Sequence, residues 1–231
     1  MRDIYNNGEY LKNNPAWGEE DVAWKGGMIV DLLKKNKISF NTAIEVGCGM
    51  GGILRVMQSA FPQGLFSGYD ISSAVIERAK QSENENLHFY NTDFTNTVTA
   101  KVDLLLMIDV VEHVRDYYLF MESLKGKANR FIFHIPLDLS CRTVLKPHVS
   151  LQQRQSVGHI HYFTEEHVFW LLKDSGYKVI DFIYTKPLID LEKPASFKNA
   201  VKKFLRNISF SVNQKLSVKL WGGYSLLIIA E

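Results

Sequence analysis

The chain has no apolar run near the roughly 20 residues that a membrane-crossing helix needs. It has only two cysteines, Cys48 and Cys141, and Cys48 lies within a glycine-rich turn, which argues against a structural disulfide and for reduced thiols. It lacks a dominant charge: 27 basic against 25 acidic residues leave +2, too little to demand a nucleic-acid partner. Internal repeats and low-complexity tracts are absent, and the polar N-terminal stretch has no signal-peptide core, so a cytoplasmic protein is expected. What remains is 231 residues, 46% hydrophobic and 23% charged, enough for one α/β domain with embellishments.

The most informative stretch is Ile44-Glu45-Val46-Gly47-Cys48-Gly49-Met50-Gly51-Gly52. A β-type run from Thr42 to Val46 ends in glycines and a helical pattern follows, so a ligand can approach the backbone and the helix offers unpaired N–H groups. Gly47, Gly49 and Gly52 satisfy G-x-G-x-x-G, and Asp70 is far enough downstream to hold a ribose, as in a dinucleotide oxidoreductase. S-adenosylmethionine is the competing ligand. Glu45, two residues before the first glycine, favours that cationic molecule and repels a pyrophosphate.

Strands alternating with helical patterns predict a doubly wound, Rossmann-like sheet. Helices are expected over 20–35, 51–60, 72–81, 114–125 and 164–174, and strands over 42–47, 65–70, 87–90, 102–108, 130–135 and 177–184. Residues 136–158 read as a polar, basic loop. The tail departs from this rhythm. Residues 186–219 carry eight Lys and Arg against Asp190 and Glu192, with Phe197, Val201, Phe204 and Leu205 on one helical face. That face suits either cover for the sheet edge or contact with an anionic surface. A buried strand, 224–230, follows Gly222-Gly223 and is expected to run antiparallel, as the seventh strand of a mostly parallel sheet. Tyr5, Tyr10, Trp17 and Trp24 suit an aromatic lid or ordinary helix packing.

Acidic residues follow successive strands: Glu45, Asp70, Asp93 and Asp109. In a doubly wound sheet these positions line one crevice. Asp70 can accept from both ribose hydroxyls, Ile71 can pack on adenine, and Asp93 beside Phe94 can accept from the adenine amino group. In a helix, Asp109, Glu112 and His113 would share a face, and His113 could act as a general base. An extended Gly158-His159-Ile160-His161 would point both histidines to one side, for acceptor binding or proton transfer. With His113 or His134 they could ligate a metal, but no carboxylate or cysteine set accompanies them and no metal is expected.

Taken in order, Glu45-Val46-Gly47-Cys48-Gly49, Gly68-Tyr69-Asp70-Ile71-Ser72, Asp109-Val110-Val111-Glu112-His113-Val114 and Gly158-His159-Ile160-His161-Tyr162-Phe163-Thr164 resemble class I S-adenosylmethionine-dependent methyltransferases, in particular the bacterial methyltransferase-domain group with ubiquinone-type and polysaccharide-cluster enzymes. The resemblance covers about 40–184 and the final strand. It implies a seven-stranded sheet with one reversed strand and transfer of one methyl group. It also implies that Glu45, Gly47 and Gly49, with Cys48 in the same turn, border the methionine portion, that Asp70 holds the ribose, that Asp93 faces adenine and that Asp109 lies near the methionine. His113 matches a motif position without a uniform catalytic role in that family; from the residues themselves, His113, His159 or His161 is expected to serve as the base. Residues 1–39, an N-terminal helical lid, and 185–221, a basic helical insertion, lie outside the shared core of a single domain and would select the acceptor. The expected acceptor is a small molecule or glycan methylated at oxygen. A non-catalytic cofactor-binding module and a dinucleotide oxidoreductase are the alternatives.

Overall fold

The computed structural model describes residues 21–96 and 100–231. Tyr5, Tyr10 and Trp17 of the expected lid lie outside them.

One seven-stranded sheet has the order β3-β2-β1-β4-β5-β7-β6, with β1 Thr42–Val46, β2 Leu65–Asp70, β3 Leu87–Asn91, β4 Val102–Ile108, β5 Ala128–Pro136, β6 Val179–Thr185 and β7 Ser225–Ala230. The strands from β3 to β5 pair in parallel, and β7 runs antiparallel to both β5 and β6. The reversed seventh strand is therefore as the sequence predicts. The apolar runs have a two-sided purpose. Leu105 and Met107 of β4, with Leu226 and Ile228 of β7, join one core cluster, while Leu104, Leu106, Leu227 and Ile229 join another. Such strands are buried on both faces, so they read as unbroken hydrophobic sequence.

Helices α1 Val22–Lys35, α2 Gly52–Ala60 and α3 Ser73–Ala79 cover one face through Ile29, Leu33, Leu54, Met57 and Ile76. On the other lie α4 Tyr117–Leu124 and, further on in sequence, α7 Glu165–Asp174 through Met121, Leu124, Val168 and Leu172. Residues 136–158 are not one loop. They contain α5 Cys141–Leu145, opened by a reciprocal Ser140/Thr143 cap, and α6 Pro147–Ser156, opened by its proline. No residue of α6 is buried, so the segment carries no hydrophobic period for sequence reading to detect. The tail forms α8 Pro187–Asp190, α9 Phe197–Val212 and α10 Gln214–Trp221. Only Phe210 anchors α9 inside, stacked 5.2 Å from Tyr224. Its predicted apolar face is turned to solvent: Phe197 is 86% exposed and Phe204 63%. The packing of that face against the sheet edge is thus not what the structure has.

Candidate active site

Strand order reverses between β1 and β4, and in such sheets the crevice at the carboxyl ends is where ligands bind. The loop after β1 is fastened to β2 by bonds from the Gly47 and Cys48 N–H groups to the Tyr69 carbonyl, 2.7 and 3.1 Å. Gly47 has φ +73°, and a Cβ on it would lie 2.6 Å from Val110 Cγ2; Gly51 has φ +77°, and its Cβ would lie 2.2 Å from the Phe89 ring. Both positions combine a left-handed backbone with contact that no side chain fits.

Asp70 braces this loop. Its Oδ2 accepts from the Gly49 N–H at 3.0 Å and its Oδ1 from the Ser72 N–H at 2.9 Å. Burial raises its carboxyl above the ordinary range, and the N–H groups of Ser72, Gly49 and Ile71 partly offset that. Ile71 beside it is 40% exposed. Glu45 is buried, and its Oε2 has no hydrogen-bond partner among the described residues. Burial, then the Asp70 charge, pushes its carboxyl well up. Burial does the same to the Cys48 thiol, and both cysteines are free. Asp93 accepts at Oδ1 from the N–H and hydroxyl of Thr95, 3.0 and 2.6 Å, in a local turn. Phe94 is fully buried between Tyr69 and Lys127, so its ring belongs to the core and presents no face to a base.

Asp109 does not begin a helix. Its φ of +54° is a left-handed value that Asp tolerates at a cost, and only a single 3-10 turn, Val111–His113, follows. The expected common face with Glu112 and His113 is therefore broken. Asp109 instead joins a chain of charges. Its Oδ1 meets His134 Nδ1 at 2.5 Å, its Oδ2 meets Lys25 Nζ at 2.6 Å, and Lys25 also meets Asp21 at 2.8 Å. His134 Nε2 is 2.9 Å from the Thr185 hydroxyl. Burial alone would raise Asp109, but His134 and Lys25 together hold its carboxyl far below the usual range. Burial would lower Lys25, and Asp109 and Asp21 hold it above its ordinary value. Sequence reading missed Lys25; the signal was a lone lysine on the apolar face of α1, between Val22 and Ile29.

A second group forms where 158–161 meets the turn after β4, through bonds from the Ile160 and His161 N–H groups to the Glu112 carbonyl, 3.0 and 3.2 Å. The Glu112 side chain is fully buried and neither carboxylate oxygen has a hydrogen-bond partner among the described residues. Its Oε1 lies 3.8 Å from His113 Nε2 and 3.9 Å from His159 Nε2. Burial, then the Asp109 charge, drives the Glu112 carboxyl well up, while burial and His159 push His113 down to about 4. His113 Nδ1 is 3.1 Å from the Gly158 carbonyl. His159 Nδ1 is 2.6 Å from Asp138, which also accepts from Gln153 at 2.6 Å. Asp138, another acidic residue just after a strand, was legible by the rule that marked the first four. His161 goes elsewhere. Its Nε2 meets the Arg115 carbonyl at 3.2 Å and its ring stands edge-on to Tyr117, in an aromatic cavity of about 230 Å³ with Tyr162, His167 and Trp170. The structure thus brings His113 and His159 together and leaves His161 outside.

The unpartnered Glu45 oxygen, the side-chain-free bends at 47 and 51 and the Asp70 carboxylate fit a ligand with a cationic end and a ribose. A family model described as "Methyltransferase domain" matches residues 27–181. No curated protein sequence matches the chain. Among solved structures, magnesium protoporphyrin IX methyltransferase from Synechocystis PCC 6803 with bound SAH is similar at TM-score 0.59 and 17% identity, over 90% of this chain and 82% of that one. The plantazolicin methyltransferase BpumL with SAH gives 0.60 and 15%, over 97% and 87%. StiE O-MT residues 961–1257 give 0.56 and 17%, over 83% and 68%. At these identities the likeness is one of fold.

Proposed function

Because this chain belongs to the methyltransferase-domain family, we propose that it methylates a hydroxyl of a small or glycan-type acceptor, with S-adenosylmethionine as donor. The dinucleotide oxidoreductase reading is set aside by that membership. The observation that carries the proposal is the joint position of Glu45, the glycine bend and Asp70.

When bound, S-adenosylmethionine supplies a methyl group already activated on a sulfonium. The protein's part is then alignment and exclusion of water. Asp70 holds the ribose, Glu45 and Asp109 face the cationic methionine end with Gly47, Cys48 and Gly49, and Ile71 and Asp93 flank the adenine. A hydroxyl acceptor must lose its proton as the O–CH3 bond forms, and we place that hydroxyl at the Glu112–His113–His159 group. Thermal shift with S-adenosylmethionine and with NAD tests the donor. Stabilisation by the first alone is expected; stabilisation by NAD alone overturns the reading. A protein that binds the donor yet makes no S-adenosylhomocysteine with any phenol or sugar acceptor is the non-catalytic module.

The insertion 185–221 adds a second reading. Solvent-facing Phe197, Phe204, Leu205 and Val212 are interleaved with Lys198, Lys202 and Lys203 along α9. An apolar stripe edged by lysines suits the headgroup layer of an anionic bilayer, which would bring a lipid-borne acceptor to the crevice. No helix among the described residues is long and apolar enough to cross a membrane, so this contact is peripheral. Sedimentation with phosphatidylglycerol vesicles at physiological salt should carry the protein down, and K202E/K203E should abolish this. Equal recovery of both proteins in the supernatant contradicts it.

A further inference from the structure

Among the described residues, Glu112 is a completely buried acid with both carboxylate oxygens lacking a hydrogen-bond partner. An unpaired buried acid is costly, and native proteins retain one where something else completes it. What stands around it is two imidazoles. Glu112, His113 and His159 each offer a ligand atom, and these atoms all lie within 4.8 Å of one another.

We propose that Glu112, His113 and His159 form a binding site for one divalent first-row transition metal ion. Three arguments converge on it. The first is size. With Glu112 Oε1 at 3.8 Å from His113 Nε2 and 3.9 Å from His159 Nε2, a point equidistant from all three atoms lies about 2.5 Å or less from each, so shifts of a few tenths of an ångström reach a zinc–nitrogen bond of ~2.0–2.1 Å.

The second is orientation. A metal-ligating imidazole donates its other ring N–H to a carboxylate or backbone carbonyl, which fixes the tautomer and aims the second nitrogen at the ion. His159 Nδ1 is 2.6 Å from Asp138, itself held by Gln153, and His113 Nδ1 is 3.1 Å from the Gly158 carbonyl. Both Nε2 atoms are thereby turned towards Glu112. The third is rigidity. The turn carrying Glu112 and His113 and the segment carrying His159 are joined by the two bonds to the Glu112 carbonyl, so the ligands are not on independent loops.

Two nitrogens and one carboxylate select zinc, cobalt, iron or manganese over magnesium and calcium, which prefer oxygen alone. The adjacent residues 112 and 113 with a third ligand from 159 leave coordination positions open, as catalytic metal sites do. The sequence argued against a metal because the histidines lacked an evident carboxylate. Glu112 supplies it, and its own neighbour in sequence is one of the ligands. The site's role rests on the proposed methyl transfer: a hydroxyl oxygen takes an open position and loses its proton to solvent, and its O–CH3 bond forms as the S–CH3 bond breaks.

The test is independent of that reaction. The metal-stripped full chain is titrated with Zn²⁺ by calorimetry and with Co²⁺ by visible absorption, with no donor or acceptor present. One equivalent is expected, and X-ray absorption of the zinc form should count two imidazole ligands. H159A and E112Q should each weaken binding by at least ~100-fold, since loss of a mere supporting partner already costs ~10–100-fold, and D138N should fall in that latter range. H161A should bind as the wild type does. The proposal is overturned by a wild-type protein that takes up neither ion, by a zinc spectrum without two imidazoles, or by H159A and E112Q that bind normally. Should either variant fail to fold, the wild-type spectrum still decides. Metal binding without methyl transfer would leave this site standing and remove only the proposed reaction.

Discussion

Asp70→Ala should abolish measurable binding of S-adenosylmethionine. Two effects combine in this loss. A carboxylate that accepts from both ribose hydroxyls makes two charge-assisted bonds, each ~1.5–3 kcal/mol, so their removal weakens binding by at least ~100-fold. The same side chain accepts from the Gly49 and Ser72 N–H groups, so the alanine also unfastens the glycine bend on which the methionine end would lie. Asp70→Asn separates the two, because its amide keeps a single acceptor oxygen in the same shape. It should bind more weakly than the wild type and more tightly than the alanine variant. Calorimetry, with circular dichroism to show that each variant is folded, reads the result. An alanine variant with wild-type affinity removes the ribose assignment.

Asp109→Ala should destabilise the protein by about 3 kcal/mol, because breaking a buried ion pair leaves its partners without compensation. Here His134 loses its carboxylate while Lys25 keeps Asp21 at 2.8 Å, and Asp109 itself has 27% side-chain exposure, which together set the figure at the low end of the usual range. For a chain of this size each kcal/mol is ~2–4 °C in Tm, so a fall of ~6–12 °C is expected. The pH dependence has a definite sign. Asp109 is held below its unfolded value, so its contribution is fully present above the unfolded carboxylate pKa of ~3.9 and is lost as pH falls towards the folded value. Lys25 is held above its unfolded value, so its share is present below ~10.4 and lost as pH rises further. The gap in Tm between the two proteins should thus narrow below about pH 4 and again at strongly alkaline pH. A gap that is absent at pH 7, or that widens in acid, contradicts the network.

The sheet was legible because its strands carry their own evidence. Val102–Ile108 is apolar at every position but Asp103, since alternate residues serve opposite cores, and Leu65–Asp70 ends on the acid that its position requires. The bend at 47–52 was legible from its glycines, two of which, at 47 and 51, stand where no other side chain fits. Three features were not. Helix α6 buries nothing, so there was no period to read. The helical spacing of 109, 112 and 113 was a false lead, because the left-handed backbone at Asp109 sends its side chain to Lys25 and His134. The partnerships of Asp138 with His159 and of Lys25 with Asp109 join residues 21 and 84 positions apart, and only the fold brings them together. The stripe on α9 was visible as a period, but whether it faces sheet or solvent is a property of packing.

The account depends on one crevice gripping an adenosyl sulfonium between the glycine bend and Asp70. A crystal structure of the protein with S-adenosylhomocysteine tests this most directly. The predicted result is a ribose with both hydroxyls on the Asp70 carboxylate and the amino-acid end against Glu45 and the 47–49 backbone. Density for the ligand away from these residues, or Asp70 retained on Gly49 and Ser72 with no contact to the ribose, would contradict it.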